Sequence, residues 1–152
     1  GLAPERLTLE ITETVLMRDA ARCQDMIRRL RAMGVSVALD DFGTGYSSLS
    51  YLHGFGFDEM KIDRSFVAAL TEREESLAIV HTIVTLGRNL GLGVVAEGVE
   101  TAEQAGLLMA TGCRIGQGWL YGRPVPAAEI AAALAACKPP GPRRIQDLAA
   151  VA

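Results

Sequence analysis

The stretch that decides the fold is VSVALDDFGTGYSSL, residues 35–49. Residues 35–39 form an apolar, β-branched run that predicts a buried strand. Asp40 and Asp41 follow where this strand is expected to end, and Gly43 and Gly45 give the next loop backbone angles that other residues avoid. In α/β proteins, functional sites lie at this edge, outside the carboxyl ends of the strands. The stretch therefore predicts a site here, although a bare Asp-Asp pair is more often a turn or a helix cap.

The rest of the chain alternates between strand and helix patterns. Strands are predicted over residues 6–13, 35–39, 59–63, 92–97 and 113–120. Helices are predicted over 18–33, 47–52, 74–90 and 102–112, and from Pro126 to near Cys137. Because strands and helices alternate, we expect parallel strands joined by right-handed helical crossovers.

An open five-stranded sheet and a closed eight-stranded barrel both satisfy this order. A complete barrel typically needs about 250 residues, whereas this chain has 152. We therefore predict an α/β fold of the (β/α)8 TIM-barrel type, of which this chain supplies about the last five βα units. Residues 1–137 are expected to form this partial domain. The Pro-rich residues 138–152 are expected to form a disordered tail.

The composition narrows the classes of function. Apolar residues make up 49% of the chain and the formal net charge is −3, with no block of Lys or Arg, so no groove for a nucleic-acid polymer is expected. A phosphorylated ligand would need metal ions or a few placed cations. Cys23, Cys113 and Cys137 are an odd count without metal-ligand spacing and favour buried cytosolic thiols. Since the sequence contains neither a signal peptide nor a membrane span, we expect a cytoplasmic protein.

Polar side chains lie at or near the carboxyl end of every predicted strand. They are Glu10, Glu13, Asp40, Asp41, Lys61, Asp63, Glu97 and Gln117. Because parallel strands share one carboxyl edge, these groups can converge. Each also has an ordinary alternative, such as a helix-start acid for Glu13 or a solvated loop acid for Glu97. Glu97 and Gln117, however, have apolar and glycine neighbours, among which an unpartnered charge or amide is costly.

The chemistry of such a cluster can be narrowed. Clustered carboxylates raise one another's pKa unless a cation neutralises them. The cluster offers only oxygen ligands, because His53 and His81 lie in or next to predicted helices away from this edge. This favours the hard ions Mg²⁺ or Mn²⁺ over Zn²⁺. Two such ions can activate water and hold a phosphate for in-line displacement. A lysine alongside can stabilise charge in the transition state or hold the attacking water.

Several motifs occur in an order that resembles one family. They are LEITE at residues 9–13, DDFGTG at 40–45, KID at 61–63, VAEGVE at 95–100 and GQG at 116–118. This set resembles the EAL-domain family, the bacterial cyclic-di-GMP phosphodiesterases, over residues 7–124. The resemblance implies a (β/α)8-type barrel and the metal-dependent hydrolysis of cyclic di-GMP to linear pGpG.

The resemblance also implies a two-metal site that holds Mg²⁺ or Mn²⁺. Glu10 and Asp40 resemble ligands of the first ion, with Asp40 bridging to the second. Asp41 resembles a ligand of the second ion. Glu97 resembles the glutamate that positions a metal-bound water, so we include it among the metal ligands.

The remaining motif residues have implied roles around this centre. Lys61 resembles the catalytic lysine beside the nucleophilic water, and Glu97 shares the catalytic role. Glu13 resembles the residue that anchors the acidic loop. Asp63 and Gln117 match further site positions, close to the substrate or to the metal ligands.

One departure concerns the front of the domain. The Glu-Ala-Leu signature and the asparagine on the following strand, which supply metal ligands in the family, do not occur in this sequence and would lie upstream of Gly1. We therefore expect the C-terminal portion of a phosphodiesterase domain, either a fragment of a longer protein or a shortened one, with weak or no activity by itself.

The same departure leaves a second class of function open. A non-catalytic module that binds cyclic di-GMP or a protein partner would also account for the missing ligands. In either case we expect self-association, because open sheet edges and an apolar inner face favour pairing. The resemblance implies a homodimer formed through the helical region after the acidic loop.

Overall fold

The computed structural model describes residues 1–43, 52 and 54–136, and the chain divides into two compact units, Gly1–Leu120 and Tyr121–Ala152. The strands of the first unit are β1 (Thr8–Thr12), β2 (Ser36–Phe42), β3 (Glu59–Ile62), β4 (Gly93–Ala96) and β5 (Ile115–Gly116). Its helices are α1 (Glu13–Arg18), α2 (Ala20–Ala32), α3 (Arg64–Ala68), α4 (Glu74–Leu90) and α5 (Ala102–Thr111), with 3-10 turns at Pro4–Arg6 and Ala69–Thr71. In the second unit, a 3-10 turn at Ala127–Glu129 leads into α6 (Ile130–Ala136).

The strands form one parallel sheet in the order β1-β2-β3-β4-β5. The register aligns Thr12 with Asp40, Ile62 with Ala96, and Ala96 with Gly116. The carboxyl ends of all the strands therefore lie at one edge of the sheet. This confirms the predicted α/β class and its parallel strand order.

One hydrophobic cluster joins the sheet to the helices. Met60 and Ile62 of β3 are fully buried, as are Val37 of β2, Ile27 of α2 and Val80 of α4. Each such side chain contributes about 1.5–3 kcal/mol by leaving water. Because this packing holds β3 rigidly between β2 and β4, the polar side chains at its carboxyl end have fixed neighbours.

Two helices begin and end as predicted. Helix α4 spans residues 74–90, with two glutamates in its first turn and Gly91 in the left-handed conformation after its end. Helix α5 begins with the predicted capping box, in which the Thr101 hydroxyl accepts a hydrogen bond from the backbone N–H of Gln104 and the Gln104 side chain accepts one from the backbone N–H of Thr101.

The predicted helix over 18–33 is wrong at its start. The segment contains two helices, because α1 covers residues 13–18 and α2 covers residues 20–32. Asp19 separates them, and its carboxylate accepts a hydrogen bond from the backbone N–H of Arg22 at 3.0 Å, which caps α2.

Two predicted strands have different lengths in the structure. Strand β2 continues through Asp40 and Asp41 to Phe42, because Asp40 pairs with Thr12 and Phe42 pairs with Ile62. The prediction that β2 ends before the aspartates was therefore wrong. The last strand, predicted over 113–120, is reduced to the two residues of β5.

Some predictions lie outside the described part of the chain. They concern most of the short helix over 47–52, of which Leu52 is described and helical, together with His53, Cys137 and the tail over 138–152. Cys23 and Cys113 are buried free thiols, as expected. None of the helices formed by the described residues is both long and apolar enough to cross a membrane.

Candidate functional site

The ammonium group of Lys61 is surrounded by carboxylates at the carboxyl edge of the sheet. Its Nζ atom lies 2.7 Å from Oε1 of Glu10, 2.5 Å from Oε1 of Glu97 and 3.5 Å from Oδ1 of Asp40. These carboxylates come from β1, from the residue after β4, and from β2. Lys61 itself lies on the central strand β3 and is 5% exposed. The sheet therefore brings together four of the residues predicted from the sequence.

The surroundings of Lys61 keep it charged. Burial of its ammonium group disfavours the charge, but the hydrogen bonds to Glu10 and Glu97 and the charges of Glu97 and Asp40 outweigh burial. Together they raise the pKa of Lys61 above its ordinary value. Lys61 is therefore a fixed cation at the centre of the site.

Asp40 and Asp41 form a second cluster with Glu97. Each of these residues offers a ligand atom, and the atoms lie within 4.8 Å of one another. Adjacent side chains of a regular strand point to opposite faces of the sheet. Here the pairing between β2 and β3 is irregular between Leu39 and Phe42, and Asp41 has a left-handed backbone with φ of 56°. This bulge breaks the alternation, so both aspartates can serve one site.

The electrostatics of this cluster indicate an excess of negative charge. Burial raises the pKa of Asp41, and the charges of Asp40 and Asp63 raise it further. The cations Lys61 and Arg64 oppose this rise without cancelling it. A bound cation would remove the conflict, and carboxylate oxygens are the ligands that hard divalent ions prefer. The residues present therefore fit a metal ion.

Gln117 fixes the orientation of Glu97. Its side-chain Nε2 donates a hydrogen bond to Oε1 of Glu97 at 2.7 Å. Its backbone N–H donates to the carbonyl of Ala96 at 2.8 Å, and its carbonyl accepts from the N–H of Val99 at 3.0 Å. Although β5 is short, these bonds keep Gln117 attached to the end of β4. The structure therefore places Gln117 in the site, beside Glu97.

Two predicted residues are neither contacts of the Lys61 ammonium nor members of the acidic cluster. The carboxylate of Asp63 caps α3 by accepting hydrogen bonds from the backbone N–H of Ser65, at 2.9 Å, and from its hydroxyl. Glu13 begins α1, is 4% exposed, and has no hydrogen-bond partner for either carboxylate oxygen among the described residues. Of the acidic loop that it is predicted to anchor, the part from residue 44 onward lies outside those residues, so the anchoring role of Glu13 stays a prediction.

Arg64 is a residue of this edge that the sequence analysis did not single out. It directly follows Asp63 and begins α3, a helix that was not predicted. It is exposed, and its charge acts on Asp41. The available signal was its position, because it comes directly after the strand that carries Lys61. His81, in contrast, is exposed on α4, as the sequence predicted for a residue outside the site.

Comparison with known proteins gives one family. A family model for the EAL domain matches residues 1–124. The bifunctional diguanylate cyclase/cyclic di-GMP phosphodiesterase MucR of Pseudomonas aeruginosa is 49% identical over 135 residues, which are 89% of this chain and 20% of MucR. The cyclic di-GMP phosphodiesterase RocR of the same organism is 44% identical over 125 residues, which are 82% of this chain and 32% of RocR. The chain thus spans a third or less of these curated relatives.

Solved structures give the same result. The MucR phosphodiesterase in complex with c-di-GMP matches with a TM-score of 0.82 and 50% identity, over 85% of this chain and 52% of that chain. Klebsiella pneumoniae BlrP1, solved in manganese/cy-diGMP and calcium/cy-diGMP complexes, matches with a TM-score of 0.77 and 40% identity, over 82% of this chain and 32% of that chain.

These matches confirm the resemblance read from the motifs and the predicted barrel class, since EAL domains are TIM barrels and the parallel sheet superposes on them. The acidic cluster of Asp40, Asp41 and Glu97 lies at the carboxyl edge of that sheet, where such folds place their sites. With a family model that matches residues 1–124, this chain belongs to the EAL domain family.

Proposed function

We propose that this chain forms part of a metal-dependent phosphodiesterase domain that hydrolyses cyclic di-GMP to linear pGpG. The observation that carries this proposal is the convergence of carboxylates from three strands around one buried lysine. Glu10, Asp40 and Glu97 lie within 3.5 Å of the Lys61 ammonium, and Asp41 joins Asp40 and Glu97 in a set suited to a cation. The relatives named as cyclic di-GMP phosphodiesterases support the choice of substrate.

The proposed cofactor is a pair of Mg²⁺ or Mn²⁺ ions. Glu10, Asp40, Asp41 and Glu97 would hold them, with Asp40 shared between the two. When bound, such ions would supply Lewis acidity toward a phosphoryl oxygen and lower the pKa of water. The all-oxygen ligand set and the raised pKa of Asp41 support this choice of ions.

The protein groups around the ions would have separate tasks. Both hydrogen bonds that fix Glu97, from Lys61 and from Gln117, end on its Oε1 atom. Neither bond uses its Oε2 atom, which would contact a cation or accept a proton from the attacking water. Lys61 would stabilise the negative charge that develops on the phosphate, because its ammonium is held in place before the reaction.

We also propose a homodimer in the cytoplasm as the setting of this activity. Large apolar side chains are exposed along β1 and after β5, among them Leu7, Leu9 and Trp119 at 40%, 37% and 57%. Such surface favours association. Sedimentation over a concentration series tests this, and a single monomeric species at high concentration would contradict it.

The substitution Asp40→Asn tests the proposed activity. It is made in the longest open reading frame that contains these residues, called the full-length protein below. If Asp40 is shared by two ions, the hydrolysis rate should fall by about 10³-fold or more. Stability should change by about 1 kcal/mol or less, because Lys61 keeps its shorter pairs with Glu10 and Glu97 and the new amide oxygen can still accept the N–H of Asp41, as the Asp40 carboxylate does at 3.0 Å.

The assay follows pGpG by chromatography with Mg²⁺, with Mn²⁺ and with chelator, beside thermal melts. Asp25→Asn is the matched control, because Asp25 is an exposed aspartate of α2 that pairs with Arg28, away from the site. Normal turnover by Asp40→Asn would end its assignment as a shared ligand. A parent protein that binds cyclic di-GMP without hydrolysing it would replace the phosphodiesterase with a receptor.

A further inference from the structure

The carboxyl edge of the sheet carries far more negative than positive charge. Its carboxylates are Glu10, Asp40, Asp41, Asp63 and Glu97, whereas the cations that act on them are Lys61 and Arg64. The Lys61 ammonium is hydrogen-bonded to two carboxylates and nearly inaccessible. Bound metal ions would neutralise the carboxylates, and their own positive charge would be neutralised in turn. Lys61 is placed to stabilise charge during the chemical step, whereas binding of the substrate phosphate favours a further cation that is not already paired.

Arg64 meets this requirement. Within the part of the chain that the structure describes, its exposed side chain forms no hydrogen bond or ion pair. The first carbon atoms of its side chain are nevertheless held in place by packing against Gly98. A Cβ atom added to Gly98 would lie 2.7 Å from the Arg64 Cβ, so the stem of Arg64 packs directly on the residue that follows Glu97.

The charge of Arg64 acts on one member of the acidic pair, Asp41. Burial raises the pKa of Asp41, and Arg64 is one of the two cations that oppose the rise. Arg64 is thus anchored beside Glu97 and is electrostatically coupled to Asp41. These two carboxylates belong to the cluster that fits a metal ion, so the arginine borders the space above that cluster.

We propose that Arg64 binds a phosphate group of the dinucleotide substrate and holds it over the carboxylate cluster. This inference rests on the proposed function. The planar guanidinium can donate two parallel hydrogen bonds to one phosphate, which lysine cannot do. Arg64 is therefore a substrate-binding residue that acts mainly on affinity, whereas Lys61 and Glu97 act on the chemical step.

The test compares Arg64→Ala and Arg64→Lys with the parent full-length protein at saturating Mn²⁺. We expect Arg64→Ala to raise KM for cyclic di-GMP by about 10- to 100-fold, because a hydrogen-bonded charge pair is lost. The value of kcat should stay within about threefold of the parent. Arg64→Lys should give an intermediate KM, because it keeps the charge and loses the paired geometry. Arg88→Ala is the control, since Arg88 is an exposed arginine in the last turn of α4, at the opposite edge of the sheet.

A second substrate separates the phosphate from the guanine base. Bis(p-nitrophenyl) phosphate has a phosphodiester and no guanine, and a rise in its KM with Arg64→Ala supports phosphate binding. A rise confined to cyclic di-GMP overturns the phosphate assignment in favour of the base. An Mn²⁺ titration is the remaining control. If Arg64→Ala raises KM only below saturating Mn²⁺, then Arg64 acts only on Asp41, and the phosphate assignment is again overturned.

The outcomes distinguish this inference from the proposed function. An active parent whose Arg64→Ala variant keeps its KM within about twofold overturns the role of Arg64 alone. A parent that neither binds nor hydrolyses cyclic di-GMP overturns the proposed function, and the role of Arg64 with it.

Discussion

Replacing Lys61 with methionine should destabilise the metal-free protein strongly. The substitution keeps most of the apolar stem and removes the ammonium that lies between Glu10, Asp40 and Glu97. These carboxylates then face one another without a cation. Lys61 therefore acts as an internal counter-ion. Its removal should lower the free energy of unfolding as well as the rate of catalysis.

The expected loss of stability in Lys61→Met follows from how exposed each ion pair is. Glu97 and Asp40 have side chains that are 17% and 19% exposed, so removing their partner resembles breaking a buried ion pair, which costs about 3–5 kcal/mol. Glu10 is 48% exposed, and its pair is screened by water to about 1 kcal/mol or less. Part of the carboxylate repulsion relaxes when side chains turn to solvent. We therefore expect a net loss of about 3 kcal/mol, or a Tm lower by about 6–12 °C.

The assay is thermal and urea unfolding of the full-length protein in chelator, followed by an Mn²⁺ titration. Arg88→Met is the matched control, because Arg88 is an exposed cation whose removal should cost less than about 1 kcal/mol. Mn²⁺ should raise the Tm of Lys61→Met more than that of the parent, because the ion replaces the lost charge and no longer competes with the ammonium.

Two results would refute this reasoning. If Lys61→Met melts within about 2 °C of the parent in chelator, the carboxylates do not depend on the ammonium. If Mn²⁺ stabilises the variant less than the parent, the ion does not occupy the same charge cluster. Either result would also weaken the case for a metal centre around Lys61.

Two further predictions concern the same edge of the sheet. Gly118→Ala should cost at least about 2 kcal/mol in a urea melt, because its Cβ would lie 2.2 Å from the carbonyl oxygen of Val99 and the backbone φ is 156°; a variant as stable as the parent would contradict this packing. The stabilisation by Lys61 should be complete below its ordinary pKa of about 10.4 and should fall as the pH rises further, because the folded protein raises the pKa of Lys61. Unfolding free energies of the parent and of Lys61→Met should therefore converge at alkaline pH, and a constant difference up to about pH 12 would be inconsistent with this linkage.

The sequence pattern predicted those helices whose boundaries are set by their own residues. Helix α4 has an apolar face, acidic residues in its first turn and Gly91 after its end, and its bounds agree with the prediction. The capping box at Thr101 likewise fixes the start of α5. The convergence of Glu10, Lys61 and Glu97 also followed from the sequence, because parallel strands must end at one edge.

Two short elements were missed or given the wrong length. Helix α3 has only five residues, too few for a periodic pattern, although its cap is local, because the Asp63 carboxylate accepts a hydrogen bond from the backbone N–H of Ser65. Strand β5 is short because only Ile115 and Gly116 pair with β4. The length of β5 is not visible in the local sequence, since it depends on the pairing with β4.

The aspartate pair shows most clearly what local patterns leave out. A period of two would place Asp40 and Asp41 on opposite faces of β2, and only one of them could then reach Glu97. The pairing with β3 is irregular instead, because Leu39 pairs with Met60 and Phe42 pairs with Ile62, which leaves two residues of β2 opposite one residue of β3. The extra residue between these pairings is accommodated by the left-handed backbone of Asp41, and aspartate tolerates that conformation better than most residues. Asp41 therefore has two roles. Its backbone forms the bulge, and its carboxylate joins the cluster that the bulge creates.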